Sequence, residues 1–147
     1  MKVLILYGST TGNTEMVAEQ IQDNLADLNP DLMDAAEASI EDLDGYDVIL
    51  AGASTWDDGL LQQDFRDFAQ TLQQADPDLS QKKVAIFSLG DTNYPDFCES
   101  ANILEALFNK LGAQKVGSTL RIDGFPDEAE NEDKVDAWSD EIAKEIS

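Results

Sequence analysis

Ser9 to Thr14 combine four hydroxyl side chains, one glycine and one asparagine directly after the apolar run Val3 to Tyr7. A strand that enters a helix through such a loop directs several backbone N–H groups to one point, where the helix dipole favours an anion. A hydroxyl-rich helix start is by itself more often a simple cap, and the preceding strand is what favours phosphate binding. The loop contains no lysine or arginine, so neutral dipoles would hold the phosphate. The predicted phosphate ligands are Ser9, Thr10, Thr11, Gly12, Asn13 and Thr14.

The composition excludes several classes of function. There is no histidine, and Cys98 is the single cysteine, so His-based catalysis, a Cys/His metal site and an internal disulfide are absent. The same loop lacks the Gly-Lys-Ser/Thr ending of a P-loop and does not match the dinucleotide fingerprint. With 31 acidic and nine basic residues, the charge is −22. This charge repels nucleic acid and anionic lipid and favours basic partners, although solubility or a salt-loving host would explain it equally well.

Three apolar runs without alternation predict strands buried on both faces: Val3 to Tyr7, Val48 to Ala53 and Val84 to Leu89. Shorter strands are predicted at Leu32-Met33 and Leu120 to Ile122. No apolar run approaches the roughly eighteen residues of a membrane span, so we expect a cytoplasmic protein that does not contact a membrane.

Four stripes of apolar residues recur every three or four positions and predict amphipathic helices. Gly112, after the third stripe, suits a left-handed helix stop. Strands that alternate with helices predict a single α/β domain over residues 1–147, a three-layer, doubly wound fold around a parallel sheet. Ligands bind such sheets outside the carboxyl ends of the strands, which directs attention to loops 8–14, 54–60 and 90–98. The stripes are Val17, Ile21, Leu25, Leu28; Leu61, Phe65, Phe68, Leu72; Leu104, Leu107, Phe108, Leu111; and Val135, Trp138, Ile142, Ile146.

Two aromatic residues lie in the second and third of these loops. Trp56 lies off every helical stripe, in Ser54 to Leu60, and Tyr94 stands beside a proline in Gly90 to Cys98. Aromatic side chains on either side of an anion site are suited to a flat, conjugated, phosphorylated ligand. The arrangement therefore indicates flavin mononucleotide (FMN), with its rings between Trp56 and Tyr94.

Three motifs in order along the chain, Ser-Thr-Thr-Gly-Asn-Thr, Ser-Thr-Trp and Gly-Asp-x-x-Tyr-x-x-Phe-Cys, make the sequence resemble a short-chain flavodoxin over essentially its whole length. The resemblance implies a five-stranded sheet in the order 2-1-3-4-5. It also implies that Ser54 and Thr55 lead to Trp56 on one flavin face while Tyr94 stacks on the other. Further contacts, largely through the backbone, are implied for Asp57, Leu89, Gly90, Asp91, Phe97 and Cys98.

As a flavodoxin-like protein, the chain is expected to be a one-electron carrier without substrate turnover of its own, shuttling non-covalently bound FMN between semiquinone and hydroquinone at low potential. The implied partners are basic redox proteins, a flavodoxin reductase and acceptor oxidoreductases, met transiently by a monomer. One departure is Asp57, which stands where relatives often carry glycine. A non-glycine residue makes positive φ more costly, so semiquinone stabilisation is expected to be modest.

Two other functions share parts of this pattern. A phosphorelay receiver would place an aspartate near Asp57, but the acidic pair after the first strand and the lysine after the last strand are missing. A flavodoxin-like activating subunit or a flavin-dependent reductase would use the same loops, and the residues alone separate it poorly from a carrier.

Overall fold

The structure, a computed structural model, describes residues 1–9, 12–56, 60–90 and 99–146; for Trp56, Leu60 and Leu61 it describes the backbone but not the side chain. Four strands form the body of the sheet: β1 (Val3–Gly8), β2 (Asp31–Asp34), β3 (Val48–Trp56) and β5 (Lys83–Gly90). They pair in parallel in the order β2-β1-β3-β5. All four predicted strands in this part of the chain, including Leu32-Met33, are thereby confirmed.

Two short strands share the fifth position of the sheet. β6 (Gln114–Lys115) pairs with the start of β5 at Lys83 and Val84, and β7 (Leu120–Asp123) pairs with its end from Phe87 to Gly90. Counted by position, the sheet therefore has the predicted order 2-1-3-4-5. The sequence predicted β7 but not β6, because Gln114 and Lys115 are exposed and polar and carry no strand pattern.

Helices cover both faces of the sheet. α2 (Gln63–Ala75) and α3 (Glu99–Lys110) pack on one face, whereas α1 (Asn13–Asn24) and α4 (Ala129–Ile146) pack on the other. Alternate residues of β1 enter the two cores: Leu4 and Leu6 face α2 and α3, and Val3 and Ile5 face α1 and α4. This is the predicted three-layer, doubly wound architecture, and it explains why the central strands are apolar without alternation.

Two predicted helical stripes extend too far. Leu28 lies in a separate 3₁₀ helix (Ala26–Leu28), which ends at Asn29 in the left-handed conformation with φ 49°. Leu61 lies in β4 (Leu60–Leu61), which pairs antiparallel with the end of β3. Gly112 has the left-handed conformation predicted for it, with φ 90°.

The β3–β4 pairing also corrects the predicted loop 54–60. Ser54 to Trp56 continue β3, and Thr55 and Trp56 pair with Leu61 and Leu60. β-branched and aromatic residues favour extended pairing, and this effect extends the strand past the apolar run that predicted it. In the described part of the chain, no helix combines the length and apolarity needed to cross a membrane.

Candidate functional site

The predicted phosphate loop joins the end of β1 to the start of α1. The Ser9 hydroxyl accepts a hydrogen bond from the N–H of Gly12 at 3.0 Å, which ties the end of β1 to the start of α1. Gly12 is the N-cap of α1 and has φ 90°, a conformation that a side chain would strain. Because a glycine cap has no side-chain acceptor, it leaves the first N–H groups of the helix to another acceptor. This geometry fits a phosphate, and Asn13 and Thr14 lie in the same first turn.

Glu15 places a carboxylate in this turn, where it would oppose a phosphate. The phenol of Tyr7, the penultimate residue of β1, lies within reach of the charge of this carboxylate. Burial, followed by the charges of Glu15 and Asp34, raises the pKa of Tyr7 to about 12 from an ordinary 10.0. The phenol therefore stays protonated at neutral pH.

The side chain of Gln62, at the start of α2, lies beside Gly8, where the phosphate loop begins. Its buried side chain is the N-cap of α2, with Oε1 accepting from the Phe65 N–H at 3.0 Å. A Cβ on Gly8 would fall on this same Oε1 and would lie 2.9 Å from Phe65 Cβ. Position 8 therefore requires glycine because Gln62 and Phe65 approach its backbone closely. The start of the phosphate loop is thus in direct contact with the start of α2.

Three hydroxyl side chains form a cluster at the carboxyl ends of β3 and β5: the buried Ser88 and Ser100 and the half-buried Thr55. Thr55 Oγ1 accepts from the Ser100 N–H and donates to Ser100 Oγ, each at 3.0 Å. Ser100 Oγ donates to the Ala53 carbonyl at 3.2 Å and also bonds to Ser88 Oγ. Thr55 Oγ1, on a distant strand, therefore accepts from one of the first N–H groups of α3, that of Ser100.

The structure brings three of the predicted segments to one edge of the sheet. Gly8 is level with Ala53 in the pairing of β1 with β3, and Ser54 is level with Leu89 in the pairing of β3 with β5. The Ser54 carbonyl accepts from the N–H of Gln62, and the Leu89 side chain is buried in the core beneath α1 and α4. The contact that the sequence predicts for Leu89 therefore has only its backbone groups available.

The remaining predicted site residues cannot be placed in the same way. Trp56 ends β3, but its side chain lies outside the description. Gly90 ends β5, where its carbonyl accepts from the N–H of Gly124 at 3.0 Å. The residues of the prediction that fall outside the described ranges are Thr10, Thr11, Asp57, Asp91, Tyr94, Phe97 and Cys98.

Three residues at this edge were not predicted from the sequence: Gln62, Ser88 and Ser100. Two of them carried a signal, because Ser88 interrupts an apolar run and Ser100 continues the stripe of Leu104, Leu107 and Leu111 towards the start of the helix. A polar residue at a core position predicts a buried hydrogen bond. Among the described residues no group of three carboxylate or sulfur side chains could hold a metal ion.

Comparison with known proteins identifies the family. A family model described as Flavodoxin matches residues 5–138. A flavodoxin of Maridesulfovibrio salexigens is 39% identical over 99% of both chains, and one of Nitratidesulfovibrio vulgaris is 37% identical over 95% of both chains. The crystal structure of oxidised flavodoxin 2 from Bacillus cereus has a TM-score of 0.91 at 36% identity, covering 98% of this chain and 99% of that chain. The chain belongs to the flavodoxin family.

Proposed function

We propose that residues 1–147 act as one FMN-binding domain that passes single electrons between redox proteins and turns over no substrate of its own. Proteins of this family bind FMN and carry electrons. The observation that carries the proposal is the junction of β1 and α1, where a glycine-capped helix start meets the carboxyl ends of β3 and β5. A phosphate and a flat ring system fit side by side at such an edge.

In this proposal the chain holds the phosphate through Ser9, Thr10, Thr11, Asn13 and Thr14 together with the first N–H groups of α1. No lysine or arginine lies in this loop, so binding depends on dipoles alone.

The ring system would lie between Trp56 and Tyr94, with Ser54 and Thr55 leading to Trp56. Polar contacts to the ring edge would come from Asp57, Leu89, Gly90, Asp91, Phe97 and Cys98, largely through their backbone groups. When bound, FMN supplies the one-electron chemistry. The protein encloses both faces and leaves an edge for electron exchange.

The charge distribution supports basic partners. Each of the four α-helices in the described ranges begins at the edge that carries the site and has an acid in its first turn; these acids are Glu15, Asp64, Glu99, Glu130 and Glu132. Within the described ranges only Glu130 of this set is ion-paired, with Lys134. Lys110 and Lys144 lie in the last helical turns, at the opposite edge. The electrostatic field of these acids would attract a positively charged protein surface towards the flavin. We propose that the protein is a cytoplasmic monomer that binds reductases and acceptor enzymes transiently.

The experiment uses three components: the holoprotein, an NADPH-dependent flavoprotein reductase and cytochrome c, a basic electron acceptor. We expect rapid cytochrome reduction only when all three are present, with a rate that falls as KCl is raised. The holoprotein and NADPH without the reductase should leave the flavin oxidised. If the holoprotein oxidises NADPH unaided, it is a reductase, and the carrier proposal is wrong.

A further inference from the structure

The hydroxyl cluster of Thr55, Ser88 and Ser100 places two polar side chains, Ser88 and Ser100, in the buried interior, where they gain little stability. Ser88 and Ser100 are 0% exposed, in a region otherwise filled by apolar side chains. A buried hydroxyl contributes little net stability even when it is fully bonded, whereas alanine would fill most of the same space without any polar group to satisfy. The hydroxyl groups therefore contribute little to stability. Because hydrogen bonds are directional, they instead determine which backbone atoms lie next to one another at this point.

The cluster ties together the points where the chain enters and leaves the predicted ring-binding segments. Thr55 lies two residues before segment 57–59, and Ser100 lies two residues after segment 91–98. Ser88 lies on β5, which leads into the second segment. Through Ser100, the start of α3 is bonded to the Ala53 carbonyl and to the Thr55 hydroxyl, both on β3.

We propose that Ser100 is a positioning residue for the flavin ring: by bonding to β3 and β5, it fixes the start of α3 relative to β3, which ends in Trp56, and to β5, which leads into the segment that carries Tyr94. The inference rests on the proposed FMN binding. Ser100 is fully buried and therefore acts through Thr55 and Ser88 rather than by touching the cofactor. Its removal loosens the ring end of the site, while the phosphate end between β1 and α1 remains unchanged.

Two ligands separate this role from a general contribution to stability. FMN uses both ends of the site, whereas riboflavin has the same rings without the phosphate. A change confined to the ring end must weaken both ligands by the same factor. A change that loosened the whole edge would also weaken the phosphate contacts, so FMN would lose more affinity than riboflavin.

The test compares Ser100→Ala with Ser139→Ala in purified protein. Ser139 is also 0% exposed and helical, and its hydroxyl donates to the Val135 carbonyl at 2.8 Å, but it lies in α4 on the other face of the sheet. The dissociation constants of FMN and riboflavin are measured by quenching of flavin fluorescence. We expect Ser100→Ala to raise both constants about tenfold, the equivalent of one lost hydrogen bond. Ser139→Ala should leave both constants unchanged.

The positioning role is overturned if Ser100→Ala binds both ligands as tightly as the wild type, if Ser139→Ala weakens them equally, or if only FMN binding falls. Should Ser100→Ala fail to fold, Thr55→Ser and Thr55→Val decide the question. The first keeps the hydroxyl and the second replaces it with a methyl group, so equal affinities for riboflavin would contradict the proposal. A wild-type protein that binds no FMN would instead refute the proposed function itself.

Discussion

Gly8 is the position where the addition of one methyl group should reveal how the site is built. It ends β1 immediately before the phosphate loop, and its φ is not in the left-handed region, so alanine can adopt its backbone conformation. The obstacle is space, because a Cβ would fall on Gln62 Oε1 and come within 2.9 Å of Phe65 Cβ. Gly8→Ala must therefore displace the buried side chain that caps α2.

The cost follows from two effects. Overpacking a filled core costs about 1–3 kcal/mol, and loss of the Gln62 cap costs about 1 kcal/mol. Alanine recovers about 0.4–1 kcal/mol by restricting the unfolded chain. We expect Gly8→Ala to lower the free energy of unfolding by about 2–3 kcal/mol.

The assay is urea unfolding of the holoprotein at one fixed excess of FMN, with Gly45→Ala as the matched control. Gly45 ends a 3₁₀ helix (Ile40–Gly45), and a Cβ there would meet no atom within 4 Å. This control should be neutral or slightly stabilising. The double variant Gly8→Ala with Gln62→Ser should recover part of the loss, because serine is shorter and is a good N-cap residue. If Gly8→Ala is no less stable than Gly45→Ala, the contact between β1 and α2 has been misinterpreted.

Three further predictions concern charge. Burial of Tyr7 and the hydrogen bond from Tyr46 to Asp31 raise both pKa values to about 12 from 10.0. The stability that these phenols contribute is therefore complete below pH 10 and is lost as the pH rises towards 12. A Tyr7→Phe/Tyr46→Phe variant should lose less stability than the wild type over that interval. An equal loss in the two proteins would contradict the assignment of these pKa values. Salt should stabilise the fold, because 31 acidic residues face nine basic ones; the urea midpoint should rise between low salt and 1 M KCl, and a flat response would show that self-repulsion is unimportant. Replacing Asp57 and Asp58 with asparagine should raise the lower flavin potential, by roughly 70 mV for each charge about 10 Å away at an effective dielectric of about 20; redox titration checks the shift, and no change would refute it.

The central strands and the four α-helices of the described ranges were predictable because their apolar residues form continuous runs or recur with a clear period. Val3 to Tyr7 and Val84 to Leu89 are buried as expected, and so are Val135 and Trp138 on the last helix. β6 was not predictable, since two exposed polar residues are held in the sheet only by their pairing with β5. Tertiary pairing, rather than local preference, decides such short strands.

The site divides in the same way. The start of the phosphate loop could be predicted because a strand, hydroxyl residues and a glycine follow one another in sequence. The hydrogen bond from the Gly12 N–H to the Ser9 hydroxyl is also local. The bond between Thr55 and Ser100 joins residues 45 positions apart, and no local pattern reports it. Gly8 and Gln62 lie even further apart in sequence, so the need for glycine there is evident only from the folded chain.

Titration of the apoprotein with FMN tests the central claim most directly. We expect a yellow complex with one FMN per chain and quenching of flavin fluorescence at submicromolar concentration. Riboflavin should bind more weakly, because it lacks the phosphate that we propose is held by the loop at Ser9 to Thr14. A protein that stays colourless and leaves FMN fluorescence unchanged at a large excess of either partner would contradict the account.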